Sequence, residues 1–281
     1  MSEERKHALL SASSAHRWLS CPPSARLGEN CADTGSTFAE EGTEAHTLGE
    51  FKIKHALGLT DNSQNPIPIM KYFNSEMDGC TTDFAVFVLE LLDKAYHASP
   101  DPLLLLEQKL DYSMYAPEGF GTCDVVIIAD RTLYVVDFKY GSGVLVSAED
   151  NPQLMLYALA VLEMYDGVYD IEEVCMAIYQ PRREHTSFCT KPAAELFEWA
   201  ESVLKPAAAL AYAGEGEFQV GEQCQFCKVR SECRACAEHN MALTKYAFRK
   251  PPLLEDDEIE SILTQVDELL DWAKGIQKHV L

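Results

Sequence analysis

Two short apolar runs rich in β-branched residues lie near the middle of the chain and predict its central elements. Val125–Ala129 and Leu133–Val136 are separated by the polar triplet Asp130-Arg131-Thr132, a pattern typical of a β-hairpin. If the loop has an even number of residues, Asp124 lies directly opposite Asp137, with Cβ atoms about 5 Å apart. A three-residue loop would shift the pairing by one residue and move one carboxylate to the other face.

The hydrophobic pattern outside the hairpin predicts further helices and strands. Apolar residues recur at helical spacing in several segments, and Asn151-Pro152 has the residue types of a helix N-cap and first helical position. The expected helices are a short one within 11–27 that ends before Pro22-Pro23, and longer ones over 36–57, 72–96, 152–165 and 193–212 (interrupted by Pro206). The expected further strands are 103–112 and 173–180. Central strands that are apolar on both faces indicate an α/β fold, with helices covering both sides of the sheet.

The charge of the chain limits its possible partners. The net charge of −22 over 281 residues argues against non-specific affinity for nucleic acid or anionic membranes. The balance reverses between Glu222 and Lys250, where six Lys or Arg stand against three Glu. Within this segment we expect Lys228, Arg230 and Arg234 to contact nucleic acid. Binding to DNA would need this basic track, a divalent cation or a partner protein to offset the acid.

The sequence has no apolar run of membrane-spanning length, and its N-terminal segment MSEERKHALLSASS lacks the apolar core of a secretory signal. We therefore expect a cytoplasmic protein without membrane association. Its ten cysteines would stay reduced there, so metal ligands or core residues are the expected roles, not disulfides.

Polar residues around the hairpin predict a metal site. Two like charges opposed at the end of an apolar hairpin are destabilising unless a cation lies between them. Lys139 follows Asp137 by two residues and so projects from the same face. Glu107 follows an apolar run, and Gln153 and Tyr157 lie one helical turn apart. In a purely structural interpretation the aspartates merely end strands and Lys139 is solvated. The joint pattern of these residues favours a metal site instead.

At these positions the sequence resembles the RecB-like branch of the PD-(D/E)XK nuclease superfamily, whose core is a mixed β-sheet flanked by helices. The motifs follow the family's order: Gly42-x-x-x-His46, Glu107, Gly121-x-x-Asp124, Asp137-Phe138-Lys139 and Gln153-x-x-x-Tyr157. The resemblance implies that Asp124, Asp137 and the carbonyl of Phe138 bind Mg²⁺ or Mn²⁺, with His46 as a further ligand.

The same resemblance assigns the other catalytic roles. Lys139 would orient the attacking water and help to deprotonate it. Gln153 and Tyr157 would contact the DNA strand or brace the site. Glu107 belongs to the catalytic set, although the family's carboxylate on that strand varies in role.

A group of cysteines near the C-terminus has the spacing of metal ligands. Cys224, Cys227 and Cys233 form C-x2-C-x5-C, and Cys236 follows three positions later. Thiols this close together in a reduced compartment indicate a metal site. Two centres remain open, a zinc ion held by the four local thiols or a [4Fe–4S] cluster with Cys21 as the distant fourth ligand. The other five cysteines show no metal spacing and are expected to be core or incidental residues.

The cysteine arrangement resembles that of the AddB-type helicase-nucleases and the iron–sulfur nucleases of CRISPR adaptation. In those proteins one early cysteine and a late triplet bracket the nuclease core, and Trp18-Leu19 followed by Cys21-Pro22 is similar to the early element. The resemblance implies a [4Fe–4S] cluster on Cys21, Cys224, Cys227 and Cys233, with Cys236 as an alternative ligand. Such a staple closes a loop of about 200 residues and, by analogy with a disulfide, would stabilise the fold by about 5 kcal/mol.

The resemblance covers residues 11–236, and the whole chain also resembles a family of uncharacterised phage and prophage proteins. It implies a nuclease domain over 1–240 and a helical extension over 241–281, which we expect to be truncated. The expected function is a Mg²⁺- or Mn²⁺-dependent deoxyribonuclease, expected to act as an exonuclease in phage DNA replication or recombination. DNA and phage replication or recombination proteins are the expected partners, in a bacterial host cell. Two interpretations stay open beside it, a catalytically inactive DNA-binding or scaffold protein of this fold and a zinc-knuckle interaction module.

Overall fold

The predicted hairpin lies inside a five-stranded mixed β-sheet in the computed structural model, which describes residues 8–29, 31, 36–242 and 254–280. The strands stand in chain order, and β3 and β4 are parallel while every other neighbouring pair is antiparallel. The strands are β1 Leu103–Asp111, β2 Phe120–Ala129, β3 Thr132–Phe138, β4 Glu173–Gln180 and β5 His185–Pro192.

Along the chain, α-helices precede and follow the strands, and they also make up much of the C-terminal part. They are α1 Ala15–Ser20, α2 Ser24–Leu27, α3 Thr37–Ala56, α4 Ser75–Ala98, α5 Pro152–Met164, α6 Ala193–Trp199, α7 Lys205–Ala213, α8 Arg234–Met241 and α9 Asp256–Val280. Among the residues described here, no helix is both long and apolar enough to cross a membrane.

The register of the hairpin agrees with the even-loop prediction. Val125 pairs with Val136 and Ala129 pairs with Thr132, so only Asp130 and Arg131 form the turn. Asp130 takes a φ of +51°, the left-handed conformation that aspartate tolerates better than most residues. The strand pairing therefore places Asp124 and Asp137 at matching positions on neighbouring strands.

Helices cover both faces of the sheet. On one face α3 and α4 pack against alternate residues of the strands, among them Val125 and Ile127 of β2 and Val136 and Phe138 of β3. On the other face α5 contacts β1, β3 and β4. Residues 154–162 of α5 are all buried, as expected for a helix that is apolar on every side. These contacts confirm the coarse prediction of an α/β fold with a mixed sheet between helices.

Side-chain caps fix where the main helices begin. Ser36 caps α3 by accepting a hydrogen bond from the Ala39 N–H. The side chain of Asn151 accepts hydrogen bonds from the N–H groups of Gln153 and Leu154, and proline follows it at the first helical position. This cap was predicted, and it sets the rotation of α5 and thus the direction in which Gln153 and Tyr157 project.

Strand β5 and the helix predicted over 193–212 differ from the sequence expectation. Strand β5 was not predicted, because its residues include no apolar run. The helix predicted over 193–212 contains a π-helical turn, Ala200–Leu204, before Pro206. Because proline has no N–H to give to the carbonyl four residues earlier, a locally widened turn can accommodate it.

The chain divides into two compact units. The first comprises Met1–Ala15 and Asp33–Pro206 and includes the whole sheet, whereas the second comprises His16–Ala32 and Ala207–Leu281. The predicted boundary at residue 240 falls inside the second unit. Part of the predicted basic segment, residues 243–250, lies outside the described residues.

Candidate metal centre and thiol pocket

Asp124 is held at the end of the hairpin by two hydrogen bonds. Its Oδ2 accepts from the backbone N–H of Phe138 at 2.6 Å, and its Oδ1 lies 3.0 Å from Nδ1 of His46. The ring of Phe138 stacks on Phe84 in the core, with a centroid distance of 4.3 Å. Phe138 therefore holds the Asp124 carboxylate through its backbone N–H, while its ring anchors it in the core.

Three side chains from different elements converge into a possible metal-binding group. His46 comes from α3, Glu107 from β1 and Asp124 from β2, and one ligand atom of each lies within 4.8 Å of the other two. Nitrogen and oxygen ligands of this kind suit a hard or borderline divalent cation. His46 and Asp124 were both predicted metal ligands, and Glu107 was predicted as part of the catalytic set.

Glu107 reaches this group through an unusual backbone conformation. Its φ is +47°, in the middle of a strand whose pairing is regular on both sides, Leu106 with Val125 and Gln108 with Cys123. A non-glycine residue in the left-handed region costs energy and persists only where the surroundings hold it. The strain occurs at the residue whose carboxylate lies 3.7 Å from His46 Nδ1.

The protonation of His46 depends on the two carboxylates beside it. Burial lowers the pKa of His46, but the charge and hydrogen bond of Asp124, with a smaller contribution from Glu107, outweigh it and raise the pKa to about 10. Near neutral pH the metal-free ring is therefore an imidazolium that supplies positive charge between the two acids. A metal ion that bound through this ring nitrogen would have to displace its proton.

Asp137 belongs to a second cluster beside the first. Its Oδ1 accepts a hydrogen bond from Nε2 of Gln153 at 2.8 Å, and its Oδ2 lies 2.7 Å from Nζ of Lys139. Lys139 in turn donates to Oε1 of Gln153 at 3.0 Å. Burial raises the pKa of Asp137, Lys139 opposes that effect and Asp124 adds to it. The amide of Gln153 thus bridges the acid and the base.

Tyr157 braces the site from α5. It is buried, and a Cβ at Gly121 would lie only 3.0 Å from its Cε1 and 3.1 Å from its Oη. The glycine of the Gly-x-x-Asp motif therefore leaves space for this ring. Burial, followed by the nearby Asp137, raises the pKa of Tyr157 and keeps its hydroxyl neutral. By contrast, the space beside Gly42, the other motif glycine, is open.

The predicted metal ligands do not all meet at one point. His46 and Asp124 lie in the trio, while both oxygens of Asp137 face Gln153 and Lys139. Phe138 contributes its backbone N–H to Asp124, and ligation by its carbonyl stays a prediction. Sequence reasoning missed this N–H contact, for which no residue pattern gives a signal.

The second unit contains a pocket lined by thiols. Its lining includes five of the ten cysteines, and all ten are free thiols. The five are Cys21, Cys224, Cys227, Cys233 and Cys236. Cys21 is thus in the same pocket as the late cysteines, about 200 residues away in sequence. The predicted cluster ligands and the alternative ligand Cys236 all lie together.

Cys236 is the most enclosed of the five thiols, with 3% of its surface exposed. Burial raises its pKa, and the neighbouring thiols of Cys224 and Cys233 raise it further. Cys31 does not line the pocket, although it belongs to the same unit. Sequence reasoning also missed Arg17, which lines the pocket from α1, four residues before Cys21.

The three predicted basic contacts differ in their surroundings. Lys228 and Arg234 are exposed, whereas Arg230 is half-buried and donates through Nη2 to the backbone carbonyl of Glu268. Arg230 is therefore partly committed to α9. Lys228 and Arg234 remain the members of this group that face solvent.

Taken together, these features define a mixed α/β protein with a His-Glu-Asp group formed by α3, β1 and β2, and with a thiol pocket. The chain belongs to the family described as "Protein of unknown function (DUF2800)", whose model matches residues 7–281. A solved structure described as "Crystal structure of SSO0001" matches 83% of this chain and 90% of its own chain, at 13% identity and a TM-score of 0.35.

Proposed function

We propose that this protein is a divalent-metal-dependent deoxyribonuclease with a PD-(D/E)XK-type core that cleaves DNA from an end. The observation that carries the proposal is the pairing of two clusters, the His46-Glu107-Asp124 group and the adjacent Asp137-Lys139-Gln153 group. One offers ligands for a cation, and the other holds an acid and an amine in hydrogen-bond contact. Phosphodiester hydrolysis needs both kinds of group.

Each residue has a role in this proposal. His46, Glu107 and Asp124 hold the cation, and Asp137 is close enough to Asp124 for their charges to interact. A bound Mg²⁺ or Mn²⁺ would polarise the phosphodiester and lower the pKa of an attacking water. Lys139 orients that water from its position on Asp137, while Gln153 keeps both side chains in place. Tyr157 braces the site from α5.

A second candidate function is a catalytically inactive DNA-binding or scaffold protein of the same fold. The observation in its favour is that cationic side chains of the protein already offset most of the site's negative charge. His46 lies between two acids, and Lys139 pairs with Asp137. A site of this kind can stabilise a fold even if it never binds metal.

For the thiol pocket we propose a [4Fe–4S] cluster held by Cys21, Cys224, Cys227 and Cys233. Among the described residues the lining has five thiols and no carboxylate, which suits iron–sulfur or zinc chemistry. The presence of Cys21 supports the cluster, because a local zinc knuckle has no need of it. The closeness of Cys236 to Cys224 and Cys233 supports the zinc alternative.

A cleavage assay tests the main proposal. End-labelled linear DNA and closed circular DNA are incubated with Mg²⁺ or Mn²⁺, with Asp137→Ala protein and EDTA as controls. We expect linear DNA to be degraded from its ends, closed circles to survive, and both controls to be inactive. Cleavage of closed circles would mean that the protein acts as an endonuclease and not as an exonuclease. DNA binding without cleavage in any condition would favour the scaffold.

A further inference from the structure

Arg17 occupies a fixed position at the wall of the thiol pocket. Its Nη1 donates to the carbonyl oxygen of Ser24 at 2.7 Å and to the Ser24 hydroxyl at 3.2 Å. Ser24 is itself buried, with 3% of its surface exposed. Arg17 also lies one helical turn before Cys21, so α1 directs both residues to the same pocket. The guanidinium is held there by a buried partner.

Arg17 is also the one charged residue among the described residues that line the pocket. The other lining residues are cysteines, Ser24, two glutamines and apolar side chains. Thiolates that ligate a metal centre are anionic, and a buried anion without a counter-charge is costly. The Arg17 guanidinium lines the same pocket as the four proposed ligands.

We propose that Arg17 is the charge-balancing residue of the thiol-ligated centre, where its guanidinium stabilises the anionic iron–sulfur cluster, raises its reduction potential and slows its loss. This inference rests on the cluster proposed above. Reduction by one electron makes such a centre more negative, so a nearby positive charge favours the reduced form. The potential of a cluster depends on charge and hydrogen bonds around its sulfurs, and Arg17 can supply both.

Substitutions at Arg17 separate its charge from its hydrogen bonds. Arg17→Gln keeps a donor for Ser24 but removes the charge, whereas Arg17→Lys keeps the charge and removes the planar fork. Arg26→Gln is the matched control, because Arg26 lies in the same unit, contacts Tyr212 and Glu29, and does not line the pocket.

The proteins are purified without oxygen and compared by iron content, mediated spectroelectrochemical titration and the rate of iron release to a chelator. We expect Arg17→Gln to favour the oxidised form about tenfold at a given potential, which for one electron is a fall of about 59 mV. It should also release iron faster. Arg17→Lys and Arg26→Gln should stay near the wild-type potential.

Three outcomes would overturn the role of Arg17. One is an unchanged potential in fully loaded Arg17→Gln protein, and another is the same fall in Arg26→Gln. If Arg17→Gln fails to load, Arg17→Lys decides, because a loss equal to that of Arg17→Gln would mean that the fork, not the charge, is needed. Iron-free wild-type protein would instead refute the cluster itself, so the two failures are distinguishable.

Discussion

The carboxylate site and the thiol pocket are built in opposite ways. The first depends on strand register and on core anchors such as Phe138, and positive groups of the protein already lie beside its acids. The second is lined by side chains from short helices and turns, and its described lining has one positive group, Arg17, for five thiols. The sheet site is therefore organised before a metal binds, whereas the thiol pocket depends more on its metal. Removing the metal from the sheet site should therefore disturb the surrounding structure less than removing the metal from the thiol pocket.

The largest expected effect is the loss of catalysis when Asp137 is replaced. Asp137→Ala should lower the cleavage rate by about 10³-fold or more, because it removes a charge from the reaction site and frees Lys139 and Gln153. The fold should survive, since burial raises the pKa of Asp137 and already disfavours its ionised form. Cleavage rates and thermal unfolding measure the two expectations. Asp93→Ala, which removes an exposed carboxylate of α4, is the control. Full activity in Asp137→Ala protein would remove the assigned site.

The next largest effect concerns Cys21 and the stability of the thiol pocket. Cys21→Ala should lose iron and lower the free energy of unfolding, by up to about 5 kcal/mol if the cluster acts as a cross-link. Wild-type protein prepared without oxygen should be brown, with about four irons per chain. Iron analysis, absorbance and chemical unfolding are the measurements, and Cys31→Ala serves as a thiol control outside the pocket.

Cys236→Ala separates the cluster from the zinc alternative. Under the cluster proposal it keeps its iron. Under the zinc alternative the protein is colourless and holds one zinc, which Cys236→Ala loses and Cys21→Ala retains. Stoichiometric zinc in oxygen-free preparations, unaffected by Cys21→Ala, would refute the staple.

The parts of the fold that the sequence predicted are those with strong local signals. The β-branched runs on both sides of Asp130-Arg131 predicted β2, β3 and their register. Asn151-Pro152 predicted the start of α5. Strand β5 gave no such signal, because it is an edge strand that pairs with one neighbour only and its sequence contains no apolar run.

The residue types of the candidate site could be predicted from the sequence, but the contacts between these residues could not. The motif residues His46, Asp124 and Lys139 were identified from their order in the chain. The left-handed backbone of Glu107 had no signal, since its neighbours have the composition of an ordinary strand. The division of the acids into a trio and an Asp137 cluster depends on how closely α5 approaches the sheet, which residue spacing does not define.

Replacing Gln153 tests whether the sheet site is held by its own hydrogen bonds. Gln153→Ala removes one hydrogen bond to Asp137 and one to Lys139, and partners of this kind typically contribute 10–100-fold to activity. We expect a fall in kcat of about tenfold or more, within that range, with little change in KM. Steady-state kinetics measure both constants. Glu163→Ala, an exposed residue near the end of the same helix, should leave them unchanged. A wild-type kcat in Gln153→Ala protein would mean that Asp137 and Lys139 are positioned without the hydrogen bonds of Gln153.

The pH dependence of metal binding tests the role of His46. Its pKa of about 10 means that the metal-free ring is protonated at neutral pH, and a metal ligand must be neutral. Apparent Mg²⁺ affinity should therefore rise as pH increases, by up to about tenfold per unit if one proton is released, and level off near pH 10. Calorimetry in buffers of different ionisation enthalpy counts the protons. His46→Asn should bind more weakly and release about one proton fewer. The same proton count in both proteins would exclude His46 as the ligand.

The smallest expected effect belongs to the exposed basic residues of the second unit. Lys228 and Arg234 face solvent in a chain of net charge −22, so they can attract DNA phosphates without depending on either metal centre. The double variant Lys228→Glu/Arg234→Glu should bind DNA several-fold more weakly. Its slope of log affinity against log salt should become shallower by about 0.9 for each DNA phosphate that the protein ceases to neutralise. Fluorescence anisotropy over a range of salt concentrations measures the slope. Lys274→Glu/Lys278→Glu, which makes the same charge change on α9, is the control. Since both double variants alter the net charge equally, an equal weakening in the two proteins would reflect overall repulsion and would argue against a local DNA track at Lys228 and Arg234.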